Sequence, residues 1–216
     1  TASGGPFHKT SLNKFRDIKI NEALKHPNWR MGKKISVDSA TLMNKVFEII
    51  EAKKIFNLSY DKLDILVHPT SYIHAILKFN NGMIKIIAHD TNMTIPVFNS
   101  LYDDHKKIIK TNKLDLVRLN HLNLKKVDTD KFPSIKILKK LNNRESMLET
   151  IIVLANDELV NLFLLKKIDF TDIVQILQKL VNMSEFKKLS SKKPTNVDSI
   201  ISTKDYVQKL IHKIIK

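Results

Sequence analysis

The C-terminal half of the chain carries apolar residues at the spacing of α-helices. Its longest stretch, Met147–Leu165, is apolar nearly all round, which predicts a buried helix. Further helix starts are predicted at Pro133, at Thr171 or Asp172, and at Ser202 with Asp205 as its capping partner. This succession of helices predicts a small antiparallel bundle.

The N-terminal half combines one strong helical pattern with runs typical of strands. Apolar residues recur at helical spacing over Leu42–Phe56, and Asp38 or Ser39 could cap a helix that begins there. Three β-branched and apolar runs follow, at 63–68, 72–79 and 83–89. An Asn81-Gly82 step separates the last two runs and predicts a β-hairpin, and hence a meander or mixed sheet. A polar, irregular segment at about 91–132 comes next, with a short helix predicted near Val97–Tyr102.

The net charge of the chain is compatible with binding to a polyanion, but the distribution of its basic residues argues against such a partner. The 216 residues contain 37 Lys and Arg against 22 Asp and Glu, a net charge of +15. Such an excess is typical of proteins that bind nucleic acid or another polyanion. The lysines are nevertheless spread along the whole chain, and arginine, which favours phosphate, occurs only at four positions. We therefore expect no nucleic-acid partner, and a basic polyanion-binding module without catalysis stays the alternative.

Several classes of protein are excluded by what the sequence lacks. It has no cysteine, so disulfides, thiol catalysis and Cys-based zinc sites are absent. Its four glycines cannot form a dinucleotide-binding or phosphate-binding glycine motif. No apolar run is long enough for a membrane span. The opening Thr-Ala-Ser-Gly-Gly-Pro has neither an initiator Met nor a signal-peptide pattern, which leads us to expect a stretch from within a longer polypeptide.

Ser39, Asn44, Lys45 and Glu48 form the first candidate site. On a helix the last three share one side, near the helix N-terminus, where an amide and an ammonium suit a phosphate. Glu48 adds a carboxylate, which a divalent metal would explain. The same spacing also fits an exposed, capped helix with an ordinary Lys–Glu pair.

Two loop segments are weaker candidates. In the first, the glycines after Ser3 could let the backbone approach an anion, or the segment could be a simple turn. In the second, His26–Gly32, the only tryptophan, Trp29, could cover a ligand or pack in its own core. His68 and His74 lack metal-binding spacing, so we expect structural histidines there.

These segments together resemble 1-deoxy-D-xylulose 5-phosphate reductoisomerases, in the same order along the chain. The resemblance rests on Ser-Gly-Gly-Pro-Phe at 3–7, His-Pro-Asn-Trp-x-Met-Gly-x-Lys-Ile-Ser-Val-Asp-Ser-Ala-Thr at 26–41, Met-Asn-Lys-x-x-Glu at 43–48, His-Pro-x-Ser-x-Ile-His at 68–74, Ala-Asn-Asp-Glu at 155–158 and Phe-Thr-Asp-Ile at 170–173. The Lys- and Asn-rich composition resembles the apicomplexan plastid version. The resemblance implies NADPH- and Mg²⁺- or Mn²⁺-dependent conversion of 1-deoxy-D-xylulose 5-phosphate to 2-C-methyl-D-erythritol 4-phosphate, in isoprenoid biosynthesis.

The resemblance also implies roles for single residues. Ser3, His26, Trp29, Ser39, Asn44, Lys45 and Glu48 fall on substrate-binding positions, and His26, Lys45 and Glu48 are the expected catalytic residues. Met31 and Gly32 fall where the family meets NADPH, and Glu48 falls on a metal-ligand position. The family's dinucleotide-binding domain and its Asp-Ser-Glu metal segment do not occur here, so we expect this segment alone to be inactive.

The implied architecture is an α/β (α+β) catalytic domain with a mixed sheet and flap loop, a linker and a C-terminal helical bundle. We place the catalytic domain at 1–102 with the flap at about 20–35, the linker at 103–128 and the α-helical domain at 129–216. The family further implies a homodimer through the catalytic-domain sheet, a small phosphosugar substrate, a soluble plastid (apicoplast) protein and no membrane partner.

Overall fold

The computed structural model describes residues 1–26, 31–102, 107–189 and 191–215, most of them in helices. The α-helices are α1 Ile20–Ala23, α2 Lys33–Thr41, α3 Met43–Ile55, α4 Thr94–Leu101, α5 Leu116–Asn120, α6 Met147–Leu164, α7 Phe170–Asn182, α8 Ser184–Leu189 and α9 Val197–Ile215. Short 3₁₀ helices span Leu12–Asp17, Tyr60–Lys62 and Pro133–Lys140. The strands are β1 Leu66–Val67, β2 Ile73–Lys78, β3 Ile84–Ala88 and β4 Lys125–Lys126.

These elements form two compact units. The sheet unit contains Thr1–Gly4 and Ile65–Val127, and the helical unit contains Gly5–Asp64 and Asp128–Lys216. Each unit is thus built from two separate stretches of the chain. The predicted division at 1–102, 103–128 and 129–216 is one of function rather than of contacts, and it stays a prediction.

The helical unit is built around α6, which packs against α7, α8, α9 and α2. Its buried apolar residues confirm the prediction of a helix that is covered nearly all round. A cluster of aromatic rings in edge and tilted contacts fills the core beside it, comprising Phe7, Phe15, Phe132, Phe163 and Phe170. The helical unit therefore has a core of its own.

The sheet unit contains two small antiparallel sheets instead of the predicted mixed sheet. β2 and β3 form the hairpin that Asn81-Gly82 predicted, and Gly82 adopts φ +86° at the turn. β1 does not join them, because its two residues pair with β4. β1 also has a parallel bridge from Val67 to Ala2. The sheet was mispredicted because β4 is a Lys-Lys pair without any strand pattern.

The helix at 42–56 is confirmed as α3, but the prediction of its cap is wrong. Asp38 and Ser39 lie inside α2, which begins after Gly32 and ends at Thr41. Leu42, with φ 59°, separates α2 from α3 and provides no side-chain cap. The carboxylate of Asp38 is used elsewhere, as described below, so it does not cap a helix.

Two later helices also begin before their predicted positions. Asp169 rather than Thr171 or Asp172 is the N-cap of α7, with Asp172 closing a capping box. α9 begins at Val197, ahead of Ser202, and the side chain of Asn196 accepts a hydrogen bond of 2.8 Å from the Ser199 amide. In both cases an Asp or Asn upstream satisfies free amides of the first turn.

The helices described here also bear on membrane insertion. Among residues 1–26, 31–102, 107–189 and 191–215, no helix combines the length and apolar character that crossing a membrane requires.

Candidate functional site

The first turn of α3 carries two of the predicted site residues. Leu42 gives α3 no side-chain cap, and the turn carries the positive end of the helix dipole. Asn44 follows, and its Oδ1 atom is buried without a hydrogen-bond partner among the described residues. A buried amide oxygen without a partner costs about 1–3 kcal/mol, which a bound donor would recover. The turn is therefore suited to a polar ligand.

Lys45 and Glu48 form the ion pair that their spacing predicted. The Lys45 Nζ atom lies 2.6 Å and 2.8 Å from the two carboxylate oxygens of Glu48. The Lys45 side chain is only 16% exposed, whereas that of Glu48 is 52% exposed. The ammonium is therefore partly withdrawn from water, where it attracts an anion more strongly than a fully hydrated lysine does.

His26 lies within electrostatic range of this pair. Burial lowers the pKa of its imidazole below the ordinary value, and the positive charge of Lys45 lowers it further. The imidazole is therefore neutral at pH 7, with one nitrogen that donates a hydrogen bond and one that accepts. Of the three residues expected to be catalytic, Lys45 and Glu48 thus form an ion pair, and His26 lies within electrostatic range of Lys45.

Ser39 lies in the last turn of α2 rather than at the start of α3, and it is buried. Gly5 packs directly against it, with φ +62°. A Cβ atom at Gly5 would lie 2.6 Å from the Ser39 carbonyl oxygen, so only glycine fits this position. Gly5 therefore allows its own backbone segment to contact the backbone of α2 closely, within the helical unit.

The predicted flap at about 20–35 contains α1 and the first turn of α2. Trp29 lies outside the described residues. Met31 is half-buried, and the exposed Gly32 precedes α2, where its carbonyl accepts a 2.9 Å hydrogen bond from Ser36 Oγ. Among the described residues, and chain neighbours apart, no atom would lie within 4 Å of a Cβ atom at Gly32.

Ser3 belongs to the sheet unit. It follows Ala2, whose amide donates to Leu66 O at 2.8 Å and whose carbonyl accepts from the His68 amide at 2.7 Å. Ser3 is half-buried, and Gly4 after it adopts φ +85°. Pairing of Ala2 with β1 thus fixes the backbone that carries the Ser3 hydroxyl.

Glu48 does not form a complete metal site with its described neighbours. In the part of the chain that the structure describes, no three His, Cys, Asp or Glu side chains converge as metal ligands would. A magnesium ion needs several oxygen ligands in octahedral geometry. Glu48 can therefore supply one ligand, but it is not part of a set of three such side chains among the described residues.

The expectation of structural histidines is met at His68. Its ring is fully buried, with Nδ1 3.1 Å from Asn123 O and Nε2 2.8 Å from Thr70 Oγ1. His74 instead stacks on His89, with ring centroids 5.0 Å apart.

A buried polar network between α2 and α6 was missed by sequence reasoning. The Asp38 carboxylate is 3% exposed, accepts a 2.7 Å hydrogen bond from Asn156 Nδ2, and lies 2.6 Å from Lys34 Nζ. Lys34 also reaches Asp157 at 2.9 Å. Burial raises the pKa of Asp38, although both partners oppose this shift. Two features of the sequence could have indicated this network. One is the i,i+4 spacing of Lys34 and Asp38, and the other is the polar pair Asn156 and Asp157 within the apolar α6 stretch.

Two family profiles match the chain. Residues 1–56 match the C-terminal domain of 1-deoxy-D-xylulose 5-phosphate reductoisomerase, and residues 89–210 match the profile described as DXP reductoisomerase C-terminal domain. The second match covers more than half of the chain, and neither match contains β2 or β3.

Curated relatives with the same description are similar along nearly the whole chain. The 1-deoxy-D-xylulose 5-phosphate reductoisomerase of Pelagibacter ubique is 61% identical over 207 residues, which are 96% of this chain and 53% of the relative. The enzyme of Aquifex aeolicus is 35% identical over 214 residues, 99% of this chain and 55% of the relative. The chain thus spans about half the length of the curated relatives it matches.

Solved structures extend the similarity to the fold. A DOX-P reductoisomerase in complex with NADPH, fosmidomycin and magnesium superposes with a TM-score of 0.88 at 30% identity, over 99% of this chain and 53% of that one. The Zymomonas mobilis enzyme in complex with NADPH gives 0.85 at 28% identity, over 100% of this chain and 54% of that one. From the profile matches, the relatives and the shared fold together, the chain belongs to the DXP reductoisomerase C-terminal domain family.

Proposed function

We propose that the protein takes part in the NADPH-dependent isomerisation and reduction of 1-deoxy-D-xylulose 5-phosphate to 2-C-methyl-D-erythritol 4-phosphate. One observation carries this proposal, namely the uncapped start of α3, where Asn44 has a buried oxygen without a described partner beside the partly buried Lys45 ammonium. Family membership supports it, because related enzymes are described by this reaction's substrate and one was solved with NADPH, fosmidomycin and magnesium.

The positive end of α3 is the proposed phosphate site. Lys45 Nζ and Asn44 Nδ2 donate hydrogen bonds to phosphate oxygens, and the hydroxyl of Ser39 is a further donor. Each bond from a charged group contributes about 1.5–3 kcal/mol, because both partners are partly shielded from water. Binding moves the Lys45 ammonium from Glu48 towards the phosphate, which frees the carboxylate.

The uncharged groups suit the sugar portion of the substrate. Asn44 Oδ1 is an acceptor, so it binds a hydroxyl rather than a phosphate oxygen. The neutral His26 imidazole can donate to one substrate oxygen and accept from another. We assign Trp29 to the flap that closes over the bound sugar and excludes water.

Two groups from outside the chain complete the chemistry. When bound, NADPH would supply the hydride, and Mg²⁺ or Mn²⁺ would act as a Lewis acid on the substrate. Gly32 and Met31, just before α2, would hold the cofactor. Glu48 gives the metal one carboxylate ligand, which its 52% exposure leaves accessible.

We further propose that two copies associate through the exposed strands of the sheet unit. All five residues of β3 are exposed, with Ile84 58% and Ile86 48% accessible. A two-stranded hairpin of this kind is marginally stable alone, and its free edge favours pairing with another strand. The domain limits 1–102, 103–128 and 129–216, and a plastid location, stay predictions of the resemblance.

Lys45→Ala tests the assignment of the phosphate site. In the protein expressed from its complete coding sequence, NADPH oxidation with 1-deoxy-D-xylulose 5-phosphate is measured against substrate concentration. We expect KM for the phosphosugar to rise about ten- to a hundredfold, because one charge-assisted hydrogen bond is lost, while the far-UV circular dichroism stays the same.

Lys204→Ala is the control, since it removes an equal charge from the exposed face of α9. If both variants change KM equally, the effect is one of net charge and the site is wrong. If the unmodified protein oxidises no NADPH with this substrate, the proposed function itself fails.

A further inference from the structure

We infer that Asn156 is a positioning residue for the phosphate site, which it controls from α6 through Asp38. The inference rests on the proposed function for its effect on activity, and on the geometry of the helical unit for its physical basis. Asn156 is completely buried in α6, yet it is polar. Its Nδ2 atom donates to Asp38 Oδ1 at 2.7 Å, across 118 positions of the sequence.

The burial of Asn156 has no explanation in packing alone. An apolar side chain of similar size would fill the same space without a desolvation cost. Asn156 Oδ1 moreover has no hydrogen-bond partner among the described residues, so the side chain is retained at a cost in stability. Its one described hydrogen bond is the bond to Asp38, and Asp38 is therefore what the residue serves.

Asp38 is held on two sides, which fixes the end of α2. Lys34 Nζ lies 2.6 Å from one carboxylate oxygen, and Asn156 holds the other. Lys34 also contacts Asp157 on α6 at 2.9 Å, so it ties α2 to the same helix a second time. A buried carboxylate with two partners has one arrangement, because losing either leaves charge without compensation.

Hydrogen bonds continue from Asp38 to the start of α3. Thr41 Oγ1 donates to the Asp38 carbonyl oxygen at 3.2 Å and to that of Val37 at 3.1 Å. The Met43 amide in turn lies 3.4 Å from Thr41 Oγ1. This chain of contacts spans the turn at Leu42, which has φ 59° and precedes Asn44 and Lys45.

The consequence concerns both ends of the phosphate site. Ser39 directly follows Asp38, and the Ser39 backbone packs against Gly5. A shift of Asp38 therefore displaces the Ser39 hydroxyl. The same shift tilts the first turn of α3, which carries Asn44 and Lys45. Small displacements of such groups have large kinetic effects, because binding requires all donors to converge.

Asn156→Ala tests this inference in the protein expressed from its complete coding sequence. We expect KM for 1-deoxy-D-xylulose 5-phosphate to rise about ten- to a hundredfold, with KM for NADPH unchanged. The exchange variant Asp38→Asn with Asn156→Asp restores an amide-to-carboxylate bond between α2 and α6, and both carboxylates near Lys34 then lie on α6. We expect it to recover most of the loss in KM.

Asn161→Ala is the matched control, because this asparagine is exposed on the same helix. If Asn156→Ala lowers Tm but leaves both KM values unchanged, Asn156 has a structural role only and the inference is overturned. Failure of the exchange variant to recover KM would also overturn it.

Amide hydrogen exchange separates this inference from the proposed function. In Asn156→Ala we expect faster exchange at residues 39–45 and unchanged exchange at 50–55, whether or not the protein turns over the phosphosugar. If the unmodified protein is inactive and exchange still rises at 39–45, the proposed function fails while the control of α2 and α3 by Asn156 stands. Unchanged exchange at 39–45 contradicts the inference directly.

Discussion

The two units of the molecule differ in how far their apolar residues are buried. The helical unit encloses them, and Leu159, Ile173 and Leu177 are completely buried. The sheet unit leaves them in water, and its fully buried residues are few, comprising chiefly His68 and Ile73. Since burial of apolar area is the main stabilising contribution to folding, the helical unit is stable through its own packing. For the sheet unit, we propose that a second copy covers the exposed hairpin.

Most of the predicted site residues lie in the helical unit, and Ser3 lies in the sheet unit. His26, Ser39, Asn44, Lys45 and Glu48 all belong to the helical unit, which holds its helices through core packing and the Asp38 network. A binding site needs such support, because its donors must keep their places when the ligand is absent. The exposed hairpin of the sheet unit is the surface that we propose for association between two copies.

The largest effect that tests this comparison is a change of oligomeric state. Ile86→Lys places a charge on the 48% exposed position of β3, where a partner strand would bury it. We expect sedimentation velocity to show a dimer for the unmodified protein and a monomer for the variant. Ile201→Lys is the control, because Ile201 is 53% exposed on α9. A dimer that survives Ile86→Lys would exclude this part of the hairpin as the interface.

Two leucine substitutions give the next largest contrast. Leu177→Ala removes a completely buried side chain from α7, and we expect the free energy of unfolding to fall by about 2–5 kcal/mol. Leu77→Ala removes a side chain that is 40% exposed on β2, with an expected loss of about 1 kcal/mol or less. Denaturant unfolding followed by circular dichroism measures both.

Protein concentration sharpens the contrast between these two variants. If the hairpin is a dimer interface, the cost of Leu77→Ala grows as the concentration is raised, since association then contributes to stability. The cost of Leu177→Ala does not change in this way. Equal costs at every concentration would show that the two units do not differ as described.

The sequence predicted those elements that local periodicity determines. The α6 helix and the β2–β3 hairpin follow from patterns within one window of the chain, and both are present. The pairing of β1 with β4 joins residues about 60 positions apart, and β4 has no strand pattern of its own. The mixed sheet was therefore predicted wrongly, because pairing is decided by contacts that periodicity does not record.

In the candidate site, too, contacts between residues close in sequence could be predicted, whereas contacts between distant residues could not. Lys45 and Glu48 are one helical turn apart, so their contact follows from spacing alone. Asp38 was predicted to be a cap because Asp is common there, whereas in the structure it pairs with Lys34 and with Asn156 of α6. Buried polar contacts over such separations decide the role of a residue, and no pattern within one helix predicts them.

The smallest predicted effect concerns the titration of His26. Because burial and Lys45 lower its pKa in the folded protein, the unfolded chain takes up the proton first as the pH falls. The folded state therefore loses stability from the ordinary histidine pKa down to the lowered one, and the loss is complete below it. We expect His26→Asn to remove this part of the pH dependence of unfolding and to leave stability above pH 7 nearly unchanged.

The contribution of Lys45 to this shift can be measured separately by NMR titration of the His26 ring. Lys45→Met keeps the length of the side chain and removes its charge, so we expect the pKa of His26 to rise without reaching its ordinary value, because burial persists. Full recovery would show that charge alone lowers the pKa. No rise would show that His26 and Lys45 do not interact, and it would remove His26 from the site that the helical unit supports.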